Sequence, residues 1–303
     1  MTAKDFVSLA DFSRTELWTF LDTARQLKIE QKTGHQHDLL RNKTLAMIFQ
    51  KPSLRTRVSF ETGMTMLGGH AIYLAPSDIK LGERETTEDI AMVLARYADG
   101  IMARVFGHEI VEDLAKYADI PVINGLSDRE HPCQVLGDLL TVWEHKRRVE
   151  GLTLAWLGDS NNVCHSWLQA GPKMGMNLSM ATPEGFEPDD DVVEYGRQWG
   201  PRVELTHDPH EAVDDADVIY TDVWASMGQE SMAEQKTHAF KGFRVHKQLL
   251  QRAKPGAIVM HCLPAHYDEE ISHEVAHGPQ SVIFDEAENR MHAQNAVMAR
   301  LMR

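Results

Sequence analysis

Cysteine is scarce in this 303-residue chain: Cys133, Cys164 and Cys262 are an odd number, far apart, with no paired spacing. That excludes a disulfide-stapled miniprotein and fits a reducing compartment. No apolar run approaches the roughly 18 residues needed to cross a bilayer. The opening MTAKDFVSLADFSRTEL has no apolar stretch of the secretory kind, so export and membrane insertion are not expected and the cytoplasm is the expected location. Positive charge is in deficit too. Thirty-one Lys plus Arg against 45 Asp plus Glu leave a formal charge of −14, which repels nucleic acid and anionic membranes at long range. An anionic ligand must therefore be caught by a local basic cluster. Repeats and low-complexity tracts are missing as well. What remains is ordinary for a folded globular chain, with 43% hydrophobic and 25% charged residues. That is too apolar for disorder, and the length suffices for one or two domains.

Short β-rich apolar runs alternate with amphipathic stretches, the pattern of parallel sheets with crossover helices. The runs are Thr44–Phe49, Ala71–Leu74, Gly100–Val105, Pro121–Asn124, Leu152–Leu157, Leu178–Thr182, Val218–Val223, Ile258–Leu263 and Val282–Phe284. These are too many for one modest sheet. The charged segment Glu144–Gly151 ends in Gly and precedes a fresh strand, which sets a boundary at or just before it. The expectation is an α/β chain of two doubly wound parallel-sheet domains of similar size, residues 1–143 and 144–287. Ser13 and Glu16 form a capping-box pattern that starts a first helix near Thr15. Met291, Ala296, Val297, Leu301 and Met302 give residues 288–303 the pattern of a terminal helix returning to the first domain.

Chemistry gathers where strands end. Thr44–Phe49 runs into Lys51-Pro52-Ser53-Leu54-Arg55-Thr56-Arg57 and then a helix. A Ser ahead of a helix whose first turn carries Thr and Arg presents free N–H groups, hydroxyls and guanidinium together, which suits phosphate. In His131-Pro132-Cys133-Gln134, Pro occupies the first helical position and leaves His131 and Gln134 a turn apart. Strand Ile258–Leu263 delivers His261-Cys262-Leu263-Pro264 to a loop, where ligands sit in open α/β sheets. Gly158-Asp159-Ser160-Asn161-Asn162 carries one Gly where a dinucleotide fingerprint needs three, so NAD binding is poorly supported. Asn162 offers an amide for an amino acid, and Asp222 a carboxylate for an amine.

Lys51 to Arg57, Arg104, His131 to Gln134, Asp222-Val-Trp-Ala-Ser226-Met227-Gly228, His261 to Pro264 and the closing Glu288-Asn289-Arg290 together resemble the transcarbamylase family. The match runs in order from about Phe6 to the final helix. The Ser-Met-Gly and His-Cys-Leu-Pro loops resemble its ornithine branch rather than its aspartate branch. The resemblance implies transfer of a carbamoyl group from carbamoyl phosphate to the side-chain amine of ornithine, giving citrulline for arginine biosynthesis, with neither metal nor cofactor. It implies that Ser53, Arg55 and Thr56 bind the phosphate, that Arg104, His131 and Thr56 polarise the carbonyl, and that Gln134 and the Cys262–Leu263 loop hold the amide nitrogen. Arg290 would complete that site. Asn162, Asp222, Ser226 and Met227 would hold ornithine, with Asp222 and Cys262 the candidates for its proton. Lys80, in the loop Ser77–Glu85, would reach a neighbour's phosphate within a homotrimer.

The chain departs from the family pattern twice: Leu54 stands where a Thr is usual, and Lys80 is more typical of aspartate enzymes. The rival readings are a transcarbamylase for another amine such as putrescine or acetylornithine, a Rossmann-type oxidoreductase using Gly158–Asn162, and a non-catalytic paralogue that binds carbamoyl phosphate only.

Overall fold

The computed structural model describes residues 3–81, 84–225 and 233–303. It divides into a first compact unit of Met1–Leu140 with Asn289–Arg303 and a second of Thr141–Glu288. After a 3-10 turn at Leu9–Asp11, the first unit runs α1 (Arg14–Lys32), β1 (Thr44–Phe49), α2 (Leu54–Met66), β2 (His70–Leu74), α3 (Pro76–Ile79), α4 (Thr87–Tyr97), β3 (Gly100–Arg104), α5 (His108–Tyr117), β4 (Val122–Leu126) and α6 (Pro132–Lys146). Its strands are all parallel in the order β2-β1-β3-β4.

The second unit runs β5 (Thr153–Leu157), α7 (Asn162–Ala170), β6 (Asn177–Ala181), α8 (Asp190–Arg197), β7 (Val203–Thr206), α9 (Pro209–Val213), β8 (Val218–Thr221), α10 (Ala233–Ala239), α11 (Lys247–Leu250), β9 (Ile258–His261), α12 (His273–Ala276) and α13 (Ile283–Leu301). This sheet is also all parallel, in the order β7-β6-β5-β8-β9. The last helix returns to the first unit, where Ala293, Ala296, Val297, Met298 and Ala299 are buried.

Both sheets follow from strands that are apolar on both faces. Leu45–Phe49, Leu154–Leu157 and Val218–Tyr220 are fully or almost fully buried, as parallel strands covered by helices on either side must be. The predicted capping box holds α1 at its start: Glu16 N donates to Ser13 Oγ at 3.3 Å, and Ser13 N to Glu16 Oε2 at 3.0 Å. In each sheet the strand order reverses once, between β1 and β3 and between β5 and β8. Loops leaving neighbouring strands at such a point diverge and open a crevice at their carboxyl ends. Ser53 and Arg104 flank the first crevice, Asn161 and Asp222 the second.

Three expectations fail locally. Val282–Phe284 is not a strand: Ser281 makes a single bridge to Val259, and α13 begins at Ile283. Glu286 N donates to Val282 O at 2.9 Å, so the apolar run is the first turn of the helix, which starts earlier than Glu288. β7 went unpredicted because it lies at the sheet edge with Glu204 and Leu205 exposed, and so carries no apolar run. The Ser77–Glu85 segment, expected as loop, begins within α3.

Candidate active site

In the first unit, Ser53 is the N-cap of α2: its hydroxyl accepts from Thr56 N at 3.4 Å and donates to Thr56 Oγ1 at 3.2 Å. Thr56 is fully buried, and two guanidiniums converge on its hydroxyl. Arg104 Nη1, from the end of β3, lies at 3.4 Å and Arg290 Nη2, from α13, at 3.0 Å. Arg290 also donates through Nη1 to Gln134 Oε1 at 3.2 Å, and Gln134 Nε2 donates to Asp138 Oδ1 at 2.9 Å. A helix N-terminus, two hydroxyls and two buried or half-buried arginines therefore face one small volume, an arrangement that favours a multiply charged anion.

Arg290 reaches this volume because α13 lies against α6. A Cβ at Gly137 would stand 2.8 Å from Arg290 Cα, so only glycine admits this approach. His131 precedes α6 and is buried; burial first, then the positive Arg290 and Arg104, hold its imidazole well below its usual range. It is therefore neutral at physiological pH, able to donate one hydrogen bond to a carbonyl without competing for a proton. Cys133 beside it is inert: burial pushes the thiol up to about 12.

In the second unit, Asp222 follows β8 and is 6% exposed. Its Oδ1 accepts from Val223 N at 2.8 Å and from Cys262 Sγ at 2.9 Å, and its Oδ2 from Asn161 Nδ2 at 2.6 Å. Three donors thus fix a carboxylate that has room for about four, which leaves an acceptor direction for an amine. The His261–Pro264 loop is braced from beneath. His261 Nδ1 accepts from Leu263 N at 2.9 Å, which puts the imidazole proton on Nε2, 3.0 Å from Glu270 Oε1. His261 N donates to Glu286 Oε2 at 2.8 Å, and Tyr220 holds the other oxygen at 3.0 Å. This bracing keeps Leu263 at φ 59°, a left-handed conformation uncommon for a branched side chain.

Asp222, His261 and Cys262 bring candidate metal-ligand atoms within 4.8 Å, but both imidazole nitrogens are already engaged, so the trio is arranged as a hydrogen-bond network. Nor is the start of α7 open for a pyrophosphate. Asn161 Oδ1 already accepts from Val163 N at 3.0 Å and Cys164 N at 3.2 Å, closing the site a Rossmann-type oxidoreductase would need.

The structure brings Ser53, Thr56, Arg104, His131, Gln134 and Arg290 together in the first unit, and Asp222 and Cys262 in the second. Arg55 lies half-buried in the first turn of α2. Arg57, which the motif includes, instead pairs with Glu61 at 2.8 Å and covers the Tyr73 ring at 3.9 Å. Leu54 is 76% exposed, so the missing Thr hydroxyl leaves the buried contacts intact. Lys80 is exposed, in a left-handed conformation at the end of α3. Ser226 and Met227 lie outside the described residues. Asn162 is the first residue of α7; its neighbour Asn161, which the motif reading passed over, is the one bonded to Asp222. Asn161 carried one available signal, an Asn at a helix N-cap.

Residues 4–144 match the family described as aspartate/ornithine carbamoyltransferase, carbamoyl-P binding domain, and residues 150–301 its Asp/Orn binding domain. An anabolic ornithine carbamoyltransferase of Pyrococcus furiosus is 55% identical over 100% of this chain and 97% of its own length. The ornithine carbamoyltransferase of Thermococcus kodakarensis is 56% identical over 100% and 97%. The solved Pyrococcus furiosus enzyme superposes with a TM-score of 0.96 over 98% of this chain and 96% of that one, at 55% identity. The Thermus thermophilus enzyme gives 0.92 over 100% of both, at 44% identity. On the evidence of both half-sites and of likeness along its whole length, this chain belongs to the aspartate/ornithine carbamoyltransferase family.

Proposed function

We infer that this chain is an enzyme that transfers the carbamoyl group of carbamoyl phosphate to the side-chain amine of L-ornithine, giving L-citrulline and phosphate. The observation that carries the reading is the convergence of Arg104 and Arg290 on Thr56 at the capped start of α2, a built anion site in an otherwise acidic chain.

In this reading Ser53, Arg55, Thr56 and Arg290 hold the phosphate, and Arg104, His131 and Thr56 polarise the carbonyl. Polarisation stabilises the oxyanion that develops when the amine attacks, usually the largest single contribution in acyl transfer. Neutral His131 suits this role as a hydrogen-bond donor. Gln134, Cys262 and Leu263 hold the carbamoyl nitrogen. Asp222, with Asn162, Ser226 and Met227, orients ornithine. The attacking amine must lose its proton, and a side-chain ammonium has a solution pKa near 10.4. A negative Asp222 favours the charged amine and serves binding; of the Asp222–Cys262 pair only the carboxylate can accept the proton as the amine attacks, because the Cys262 thiol is itself a donor to it. Positioning both substrates makes the encounter effectively unimolecular, worth up to roughly 7–11 kcal/mol, and phosphate departs without a covalent enzyme intermediate. A citrulline assay with carbamoyl phosphate and a panel of ornithine, acetylornithine, putrescine and aspartate tests the assignment. Turnover of another amine in preference to ornithine would refute it.

We further propose a homotrimer in which Lys80 enters the neighbouring subunit's phosphate site. Several exposed apolar side chains lie on elements that flank Lys80 in sequence: Leu54 and Val58 on α2, Ile72 on the edge strand β2, and Met92, Val93 and Tyr97 on α4. Exposed apolar side chains are what a protein contact covers. Lys80→Ala and Arg55→Ala proteins, each inactive alone, are then expected to regain activity when dissociated and reassociated together. Every hybrid trimer has one site built from two intact residues, so equal mixing should recover about a quarter of wild-type activity. Hybrids shown to form yet remaining inactive would place Lys80 outside the site.

A further inference from the structure

The second unit contains a buried ion pair that the mechanism above does not use. Lys236 Nζ lies 2.6 Å from Asp159 Oδ2, with Lys236 2% and Asp159 6% exposed. The ammonium also sits 5.5 Å from the Phe186 ring and 6.0 Å from that of Phe240. Removing two charges from water costs several kcal/mol per ion, and a hydrophobic pair of the same volume is often equally stable. Stability is therefore a poor explanation for this pair. Geometry is a better one, because a buried ammonium and carboxylate satisfy each other in only one arrangement.

What that arrangement fixes follows from the neighbours. Asp159 comes directly after Gly158, which turns at φ 135° off the end of β5. The Asp159 carbonyl is held by Trp156 Nε1 at 3.0 Å, so main chain and side chain are both anchored. Two residues on, Asn161 Nδ2 donates to Asp222, and Asp222 accepts from Cys262. Lys236 belongs to α10, which starts at Ala233, shortly after Ser226-Met227-Gly228 in sequence. The Lys236–Asp159 contact, two residues of main chain to Asn161, and the hydrogen bonds from Asn161 and Cys262 to Asp222 thus link α10 to Asp222.

We propose that Lys236 and Asp159 are positioning residues for the amino-acid substrate: their ion pair registers α10 against the β5–α7 loop and so fixes Asn161 and Asp222 for ornithine. The pair touches neither substrate and acts through the Asn161–Asp222 hydrogen bond. Burial pushes the Asp159 carboxyl up while Lys236 opposes the shift, so without the lysine this carboxyl would be a buried, poorly solvated group beside Asp222.

The inference rests on the second unit being the ornithine site, and the test separates the two claims. In steady-state assays of the full-length protein, Lys236→Met is expected to raise the KM for ornithine by about tenfold or more, with kcat far less changed. Equilibrium binding of carbamoyl phosphate should stay within about twofold, and Lys236→Arg, which keeps the charge, should restore most of the ornithine affinity. Should Lys236→Met fail to fold, the double variant Asp159→Asn/Lys236→Gln leaves no buried charge and is expected to show a smaller KM increase in the same direction. A lower melting temperature with an unchanged ornithine KM, or equal losses for both substrates, would make the pair merely structural and overturn the proposal. A wild-type chain that made no citrulline would overturn the substrate assignment beneath it.

Discussion

An Arg104→Leu protein is expected to keep its fold and its hold on phosphate but to lose about 10²–10³ in kcat, roughly 2.7–4 kcal/mol of transition-state stabilisation. Arg104 ends β3 at the crevice and places Nη1 3.4 Å from the Thr56 hydroxyl. Arg290 remains to hold the anion, so the loss falls on the polarised carbonyl rather than on binding. There is a second readout. Arg104 is one of the charges that hold the His131 imidazole low. Removing it lets that imidazole rise towards its ordinary value, and the acid limb of the pH–rate profile should move to higher pH. Arg104→Lys should recover little, since a point charge cannot reproduce the planar fork. A loss in kcat below about tenfold, 1.4 kcal/mol, would remove Arg104 from the list of polarising groups.

Asp222→Asn is expected to cut kcat/KM for ornithine by at least about 10²-fold while leaving equilibrium binding of carbamoyl phosphate nearly unchanged. The substitution is almost isosteric, yet it is chemically severe. Asp222 accepts from three donors, Val223 N, Cys262 Sγ and Asn161 Nδ2. An Asn offers only one oxygen, so whichever way its amide turns, an N–H₂ group faces another donor. An unsatisfied buried donor costs about 1–3 kcal/mol, and the charge that attracts the substrate amine is lost as well. Comparable losses for both substrates would show that the two half-sites do not divide the work.

Most strands were readable because both sheets are parallel and their inner strands are buried, which writes each of those as an apolar run. The exceptions have physical causes. β7 stands at the edge and carries Glu204, and Val282–Phe284 is apolar because a helix starts there, a case in which a three-residue run is ambiguous. The start of α2 was readable from Ser53 and its first turn, and the start of α6 from Pro132. Arg290 was different. Nothing in its own neighbourhood marks it for the phosphate site, and only its family resemblance singled it out; the structure adds the reason it reaches Thr56, the bare Gly137 surface of α6. Asn161 and Lys236 were hidden for the same general reason. Each acts through a partner distant in sequence, Asp222 and Asp159 respectively, and spacing along the chain does not report such pairs.

The first unit is discontinuous in sequence, and this orders events as the chain is made. Met1–Leu140 leave the ribosome early, whereas Asn289–Arg303 follow only after the whole second unit. At about 5–20 residues per second, the early segment waits several seconds or more for its final helix. During that interval Thr56 lacks Arg290, Gly137 faces an empty groove, and the core positions later filled by Ala293, Val297 and Met298 are bare. A nascent chain can therefore build most of its first sheet but not a finished anion pocket. It presents an apolar furrow in the meantime, and Arg290 reaches Thr56 only once synthesis has passed through the second unit.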